Sequence, residues 1–325
     1  MLVSLEEQIM KKTNKYLLTL LLGMTLASCG GNNTSNSSKV EFDTSKNITV
    51  YTRDTDSGTR DGFFTKIGLK DAVKSNEPLV NGAVETNGNG DMVLKVKNDE
   101  YGIGYISLSS LEESSLTGLK YEGVEPNEDN VLNGNYSLTR NFNYIIRNEF
   151  DSDTKKDIVN AFVAYMSTKE AKATIIANSG IVKLNKDDKS WDDIKANYPI
   201  TNQDNSNITI KFGGSTSVEK IAKALSQEFA SKCGNFKPEH NHAGSGDAYK
   251  FTQGEEKDST SKLDIGFLSR ELNSNEVAAT NTSGLICIDA TVAVVNNKNS
   301  LTAITANELK DIYTGVITKW NQLIK

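Results

Sequence analysis

The chain has 325 residues, 37% hydrophobic and 24% charged, which is enough sequence for two α/β domains of ordinary size, each with its own core. A formal charge of −6 makes nucleic acid an unfavourable partner. Past the first thirty residues no apolar run reaches the roughly 18 to 20 residues that a membrane span requires.

The first thirty residues read differently. Lys11, Lys12 and Lys15 precede the apolar stretch Tyr16 to Ala27, which has the charge order and length of a secretory signal. Met10 fits its start better than Met1, because Glu6 and Glu7 are foreign to the basic end of such a segment. The stretch closes on Leu26-Ala27-Ser28-Cys29, which resembles the lipobox of bacterial lipoproteins, and that resemblance implies a lipid on Cys29. A buried N-terminal helix is the alternative, but no second apolar periodicity surrounds the stretch. Residues 1–28 are expected to be a lipoprotein signal peptide and 29–46 a flexible tether, since Gly30 to Ser38 holds only Gly, Asn, Ser and Thr. Export, with anchoring at the outer face of the bacterial cell membrane, is the implied localisation. Without residues 1–28 the chain carries 33 basic and 40 acidic side chains, a formal charge of about −7.

Beyond the tether, Ile48 to Tyr51 reads as a strand, and Phe63, Phe64, Ile67 and Leu69 then fall at helix-like spacing. Gly102 to Leu108 reads as a short buried strand, and Thr154 to Met166 and Lys169 to Asn178 read as helices. Lys183 to Asn207, rich in Asp, Lys and Asn, reads as a long surface connection. A second strand–loop–helix unit follows in Ile208 to Phe212, the turn Gly213-Gly214-Ser215-Thr216-Ser217, and Val218, Ile221, Ala222, Leu225 and Phe229 on one helical face. Thr216 with Glu219 matches a capping box and places that helix start at the Ser-Thr-Ser turn. A short helix over Asp247 to Thr252, a buried strand over Ala290 to Asn296 and a helix over Thr305 to Tyr313 complete an alternation that implies mixed α/β domains. Cys233 and Cys287 remain once Cys29 is assigned; a bridge between them is permitted outside the cell, while Cys287 in its apolar run also reads as a buried thiol.

Three hydroxyl-rich turns carry the chemistry. Asp56-Ser57-Gly58-Thr59-Arg60 sits between a strand and a helix, where unpaired amides and the helix dipole favour an anion. Ser57 and Thr59 add hydroxyl donors, Gly58 permits close approach, and Arg53 and Arg60 supply charge-assisted bonds. Taken alone, such a turn is an ordinary cap. Gly214-Ser215-Thr216-Ser217 and Gly244-Ser245-Gly246 repeat the pattern, however. A cap needs one hydroxyl, whereas a buried tetrahedral oxyanion needs many converging donors, because its desolvation is otherwise very costly.

The stretches Ile208 to Leu225, Ala243 to Asp247, Asp264 to Leu272 with Ser269-Arg270, and Asp289 to Trp320 with Asn296, Asn299, Gly315 and Trp320 look like the amino-terminal half of phosphate ABC transporter substrate-binding proteins. Ile48 to Phe64, Gly102-Ile103-Gly104-Tyr105-Ile106, Gly123-Val124 and Gly134 to Arg140 look like the carboxy-terminal half. The halves come in reversed order, as if the chain were circularly permuted, with the old termini joined through Lys183 to Asn207; a fusion of two half-proteins is the rival reading.

The resemblance implies an α/β, two-lobe periplasmic-binding-protein-like (type II) fold, circularly permuted. One lobe would comprise residues 47–135 plus 291–325 and the other 136–290, with connections near Tyr136 and Ala290 as the hinge. Carried over by position, it implies anion contacts from Arg53, Ser57, Gly58, Thr59, Thr216, Ser217, Ser245, Ser269 and Arg270, with Arg60 as a further partner. Asp56 stands where the family usually has Gly. It and Asp289 are candidate acceptors for the proton that phosphate carries near neutral pH and sulfate lacks.

The implied function is capture of inorganic phosphate for the permease of an ABC importer by a monomeric lipoprotein, without cofactor, metal or catalysis. Sulfate or molybdate binding, or phosphate sensing at the surface, keeps the fold and changes the role. A phosphatase-type hydrolase is the reading from another class. Against it stand only two histidines, His240 and His242, no Gly-x-Ser-x-Gly elbow and no strong metal-ligand spacing. Glu239, His240 and His242 are expected in an exposed polar loop.

Overall fold

The computed structural model describes residues 42–324; the signal, Cys29 and most of the tether lie outside the described residues. The chain alternates strands and helices: β1 (Thr49–Arg53), α1 (Gly58–Lys66), β2 (Val84–Thr86), α2 (Gly88–Asn98), β3 (Gly102–Ser107), β4 (Thr139–Ile146), α3 (Asp153–Met166) and α4 (Lys169–Ala177). There follow β5 (Thr209–Gly214), α5 (Glu219–Lys232), β6 (Lys237–His242), α6 (Ser245–Thr252), β7 (Ile265–Leu268), β8 (Ser283–Val295) and α7 (Ala306–Tyr313). The strands join in the order β2-β1-β3-β8-β4-β7-β5-β6. Neighbours are parallel in β1–β2, β1–β3, β5–β6 and β5–β7, while β8 runs antiparallel to both β3 and β4.

Strand β8 joins two separate hydrophobic cores. Its residues Thr291 to Val295 pair with β3, and Ser283 to Ala290 pair with β4. One core gathers Phe63 and Phe64 of α1, Ile103 and Tyr105 of β3, Leu309, Ile312 and Tyr313 of α7, and Trp320. The other gathers α3, α4 and α5 over β4, β5 and β7, with Ile221, Leu225 and Phe229 forming the inner face of α5. Burying each such Ile, Leu or Phe side chain is worth about 1.5–3 kcal/mol, which is why the 3.6-residue spacing fixes these helices. Met92 and Val96 of α2, and Ala248 of α6, cover the opposite faces of the sheet. The sheet thus has helices on both sides, as buried parallel strands require.

Several expectations are corrected. The capping box does not form: Val218 takes the N-cap position of α5 without a side-chain bond, because Ser215 Oγ accepts the Ser217 amide at 3.2 Å and turns the chain earlier. The connection 183–207 is no loose surface loop. It carries the short helix Trp191–Ile194, opened by a capping box at Ser190, and buries Trp191 and Ile200 in the second core. His240 and His242 lie on β6 rather than in a loop, half-buried. Of the two readings left open for Cys233 and Cys287 the buried thiol holds, since both are buried and free.

Candidate functional site

The cluster begins where β1 ends. The Arg53 amide donates to the Tyr105 hydroxyl at 3.0 Å, and Tyr105 is clamped by Phe63, stacked at 4.1 Å between ring centroids. Ser57 caps α1, its Oγ accepting from the Arg60 amide at 3.3 Å, so the positive end of the helix dipole lies at Ser57-Gly58-Thr59. Gly58 meets the loops from the other half of the molecule: a Cβ there would come within 2.5 Å of Ser245 Oγ and 2.6 Å of Ser269 Oγ. Only glycine allows that approach.

Around this point the hydroxyls form two buried groups, linked by the Ser217 amide, which donates to Ser215 Oγ at 3.2 Å. Ser245 and Ser269 share a hydrogen bond of 3.1 Å, the Ser269 amide donates to Ser245 Oγ at 3.0 Å, and Ser215 donates to Ser269 at 2.9 Å. Thr59 and Ser217 meet at 3.0 Å. The Gly246 amide donates to the carbonyl of Asp56 at 3.1 Å. Three turns far apart in sequence therefore share one locus.

The charge comes from two arginines. Arg140 stands opposite Asp289 in the β4–β8 register, so both side chains project to one face. Its Nη2 lies 2.7 Å and its Nε 3.0 Å from Asp289 Oδ2, and Nη2 also donates to Ser217 Oγ at 3.0 Å. Ser107 donates to the same carboxylate oxygen at 2.8 Å. Among the described residues the Arg53 guanidinium bonds only Asp54, at 3.4 Å. Among the described residues, Arg53 Nε and Nη1, Arg140 Nη1 and Asp289 Oδ1 are buried without a partner. Burial pushes the Arg53 pKa down, Asp54 and Tyr105 pull it up, and the nearby Arg140 pushes it down again. Burial raises the Asp289 carboxyl, with Arg140 and Ser107 opposing.

Sequence reasoning named Arg53, Ser57, Gly58, Thr59, Ser217, Ser245, Ser269 and Asp289, which the structure brings to this locus. It places four others differently. The Arg60 guanidinium is consumed by backbone carbonyls of Arg53, Ala72, Val73 and Ser75 at 2.5–3.1 Å. Arg270 forms a bidentate pair with Glu276, at 2.5 and 2.8 Å. Thr216 is half-buried, lies against Gly88 and makes no side-chain hydrogen bond among the described residues. The Asp56 side chain is exposed, beside Gly246. Arg140, Asn89, Ser107 and Ser215 were missed as site residues, because strand register and loop convergence, not local pattern, bring them in.

The model of the PBP superfamily domain matches residues 36–170 and 200–325. Phosphate-binding protein PstS 2 of Streptococcus agalactiae serotype V is 27% identical over 308 residues, covering 94% of this chain and 95% of that one. Phosphate-binding protein PstS 2 of Streptococcus pneumoniae serotype 4 is 29% identical over 317 residues, covering 95% and 99%. The crystal structure of a phosphate ABC transporter phosphate-binding protein from Streptococcus pneumoniae TIGR4 superposes with a TM-score of 0.60 at 26% identity, over 85% of this chain and 99% of that one. With a family model spanning both cores and the strand that joins them, the chain belongs to the PBP superfamily.

Proposed function

We propose that this chain is an exported solute-binding lipoprotein, not an enzyme, that captures inorganic phosphate between two lobes and delivers it to the permease of an ABC importer. The observation that carries the reading is the pair of buried guanidinium groups, Arg53 and Arg140, with unpartnered N–H donors beside a network of serine and threonine hydroxyls. Unpaired buried donors are costly unless an acceptor joins them. A tetrahedral anion supplies several acceptors at once, and guanidinium groups bind such anions through charge-assisted bonds. The phosphate-binding names of the relatives support the same ligand.

The two cores are the lobes of this reading, and the crossings between Leu138 and Phe142 and between Cys287 and Ala290 are its hinge. Asp289 Oδ1, buried and without a partner, is the acceptor for the phosphate proton, whereas exposed Asp56 contributes its carbonyl to closure. Arg60 shapes the turn, and Arg270, neutralised by Glu276, borders the site. Isothermal titration of the purified protein with phosphate and with sulfate tests the proposal. Saturable one-to-one phosphate binding, with sulfate weaker by about a hundredfold or more, is expected. Equal binding of both, or no phosphate binding, overturns it.

The order of the halves, reversed against the family pattern read from the sequence but shared with the PstS 2 relatives along nearly their whole length, is proposed to be a circular permutation. Its support is that the ends of the described chain are hydrogen-bonded neighbours: the Ile48 amide donates to Thr318 O at 2.8 Å, and the Asn321 amide to Thr44 O at 2.7 Å. Joining these ends and reopening the chain between residues 183 and 190 should give a folded phosphate binder. An unfolded product would count against the permutation.

A further inference from the structure

Ser217 Oγ has three partners in a buried setting: Arg140 Nη2, Asn89 Nδ2 and Thr59 Oγ1, each at 3.0 Å. The first two are N–H groups that can only donate, and a serine oxygen has two lone pairs. Both lone pairs are thereby filled, and the single hydroxyl hydrogen of Ser217 goes to Thr59 Oγ1. The orientation of the Asn89 amide is fixed from its other end, because the Ser107 backbone N–H donates to Asn89 Oδ1 at 3.3 Å and leaves only the NH2 to face Ser217. Donors therefore run in one direction, from the end of β3 through Asn89 to Ser217 and on to Thr59. Among the described residues the Thr59 hydroxyl has no second partner, and it sits beside Gly58 at the N-terminus of α1, buried.

We propose that Asn89 is a positioning residue that commits the Ser217 hydroxyl to Thr59, and so leaves the Thr59 hydrogen as a donor for the bound oxyanion. The inference rests on the phosphate reading above. Asn89 on α2 and Thr59 on α1 belong to the half built on β1 to β3, and Ser217 follows β5 in the other, so the relay is complete only when the two halves meet, and it presents hydrogen rather than a lone pair to the ligand. Ser217, which resemblance offered as an anion contact, acts here through Thr59.

The test is a pair of double-mutant cycles read by phosphate titration, with denaturant melts on every variant. Thr59→Val should weaken binding by about tenfold to a hundredfold, the effect of one hydrogen bond to a charged group. Asn89→Leu and Ser217→Ala should each weaken it in the parent background. In the Thr59→Val background each should change affinity by less than about threefold, because the hydrogen they orient is already gone. Losses that multiply in both cycles overturn the relay and make Ser217 a direct contact or Asn89 merely structural. A parent that binds no phosphate overturns the phosphate reading and the relay with it, whereas a binding parent with multiplicative losses overturns the relay alone. Should Asn89→Leu fail to fold, the Ser217→Ala cycle decides by itself.

Discussion

Replacing Arg140 by Leu separates the two tasks assigned to that side chain. Arg140 and Asp289 have side-chain exposures of 4% and 0%, so their pair is screened by neither water nor salt. Removing one partner of such a pair costs about 3–5 kcal/mol, because the other charge stays buried. Ser107 alone then holds Asp289, whose carboxyl burial already pushes upward. A carboxyl raised above its unfolded value of about 3.9 penalises the fold increasingly as pH climbs from there to the folded pKa. The penalty of Arg140→Leu is therefore largest at neutral pH and shrinks toward pH 4. Urea melts at pH 4 and pH 7 measure it, and titration with phosphate measures the second task, where loss of a charge-assisted donor weakens binding by at least about tenfold. Arg140→Leu combined with Asp289→Leu should recover most of the stability and none of the binding. An equal penalty at both pH values, or unchanged phosphate affinity, would refute the reasoning.

Gly58→Ala should weaken phosphate binding by more than about tenfold, because the added methyl displaces Ser245 and Ser269; titration checks this, and parental affinity would mean that the loops need not touch. His240 and His242 are pushed down by burial, to about 3 and about 4. A base so lowered contributes stability above its unfolded pKa, near 6.5, that is lost as pH falls toward the folded values, so His240→Asn/His242→Asn should flatten the stability loss between pH 6.5 and 4 in denaturant melts. Cys29→Ala should move the protein from the detergent-extractable membrane fraction to the soluble one, as fractionation would show. Phosphate affinity should change little between low and physiological ionic strength, because the donors are short-range and buried; a steep fall in a salt series would instead indicate an exposed surface site.

The strand–turn–helix units around Ser57 and Ser217 were legible because apolar period and turn residues agree there. Helices α3, α4 and α7 fall within one residue of the expected ends for the same reason. Nearly half of β8 was legible, the stretch from Ala290 to Val295 with its apolar run, whereas Ser283 to Leu285 are more exposed and offer no such signal. The 183–207 segment misled because Trp191 and Ile200 are isolated among polar residues, without a period; Trp191 is buried against Tyr165 and Phe229 from other helices, and Ile200 joins the same core. Arg140 and Asn89 were illegible as site residues for a related reason. One gains meaning from facing Asp289 across a strand pair, the other from a turn that meets it from the second core.

That an acidic chain should hold an anion follows from how the positive charge is stored. At distances beyond a Debye length of about 8 Å the chain's net charge is screened, so capture depends on groups inside the cluster. Two adjacent guanidinium groups with no anion would repel each other and strain the fold; Asp289 prevents this by neutralising Arg140 while leaving its Nη1 unpartnered. Arg53 is tied more loosely, by one contact to Asp54 at 3.4 Å. Arg53, Arg140 and Asp289 together thus carry about +1, which the loosely held Asp54 offsets in part, so the site favours an oxyanion through its unpartnered donors more than through net charge. In the proposed site Asp289 would have two effects on a ligand: its charge would oppose a fully ionised anion, and its unpartnered oxygen would accept the hydrogen of a protonated one. Both effects would favour phosphate over sulfate, because only phosphate brings the missing hydrogen into a space where an unsatisfied carboxylate oxygen is expensive.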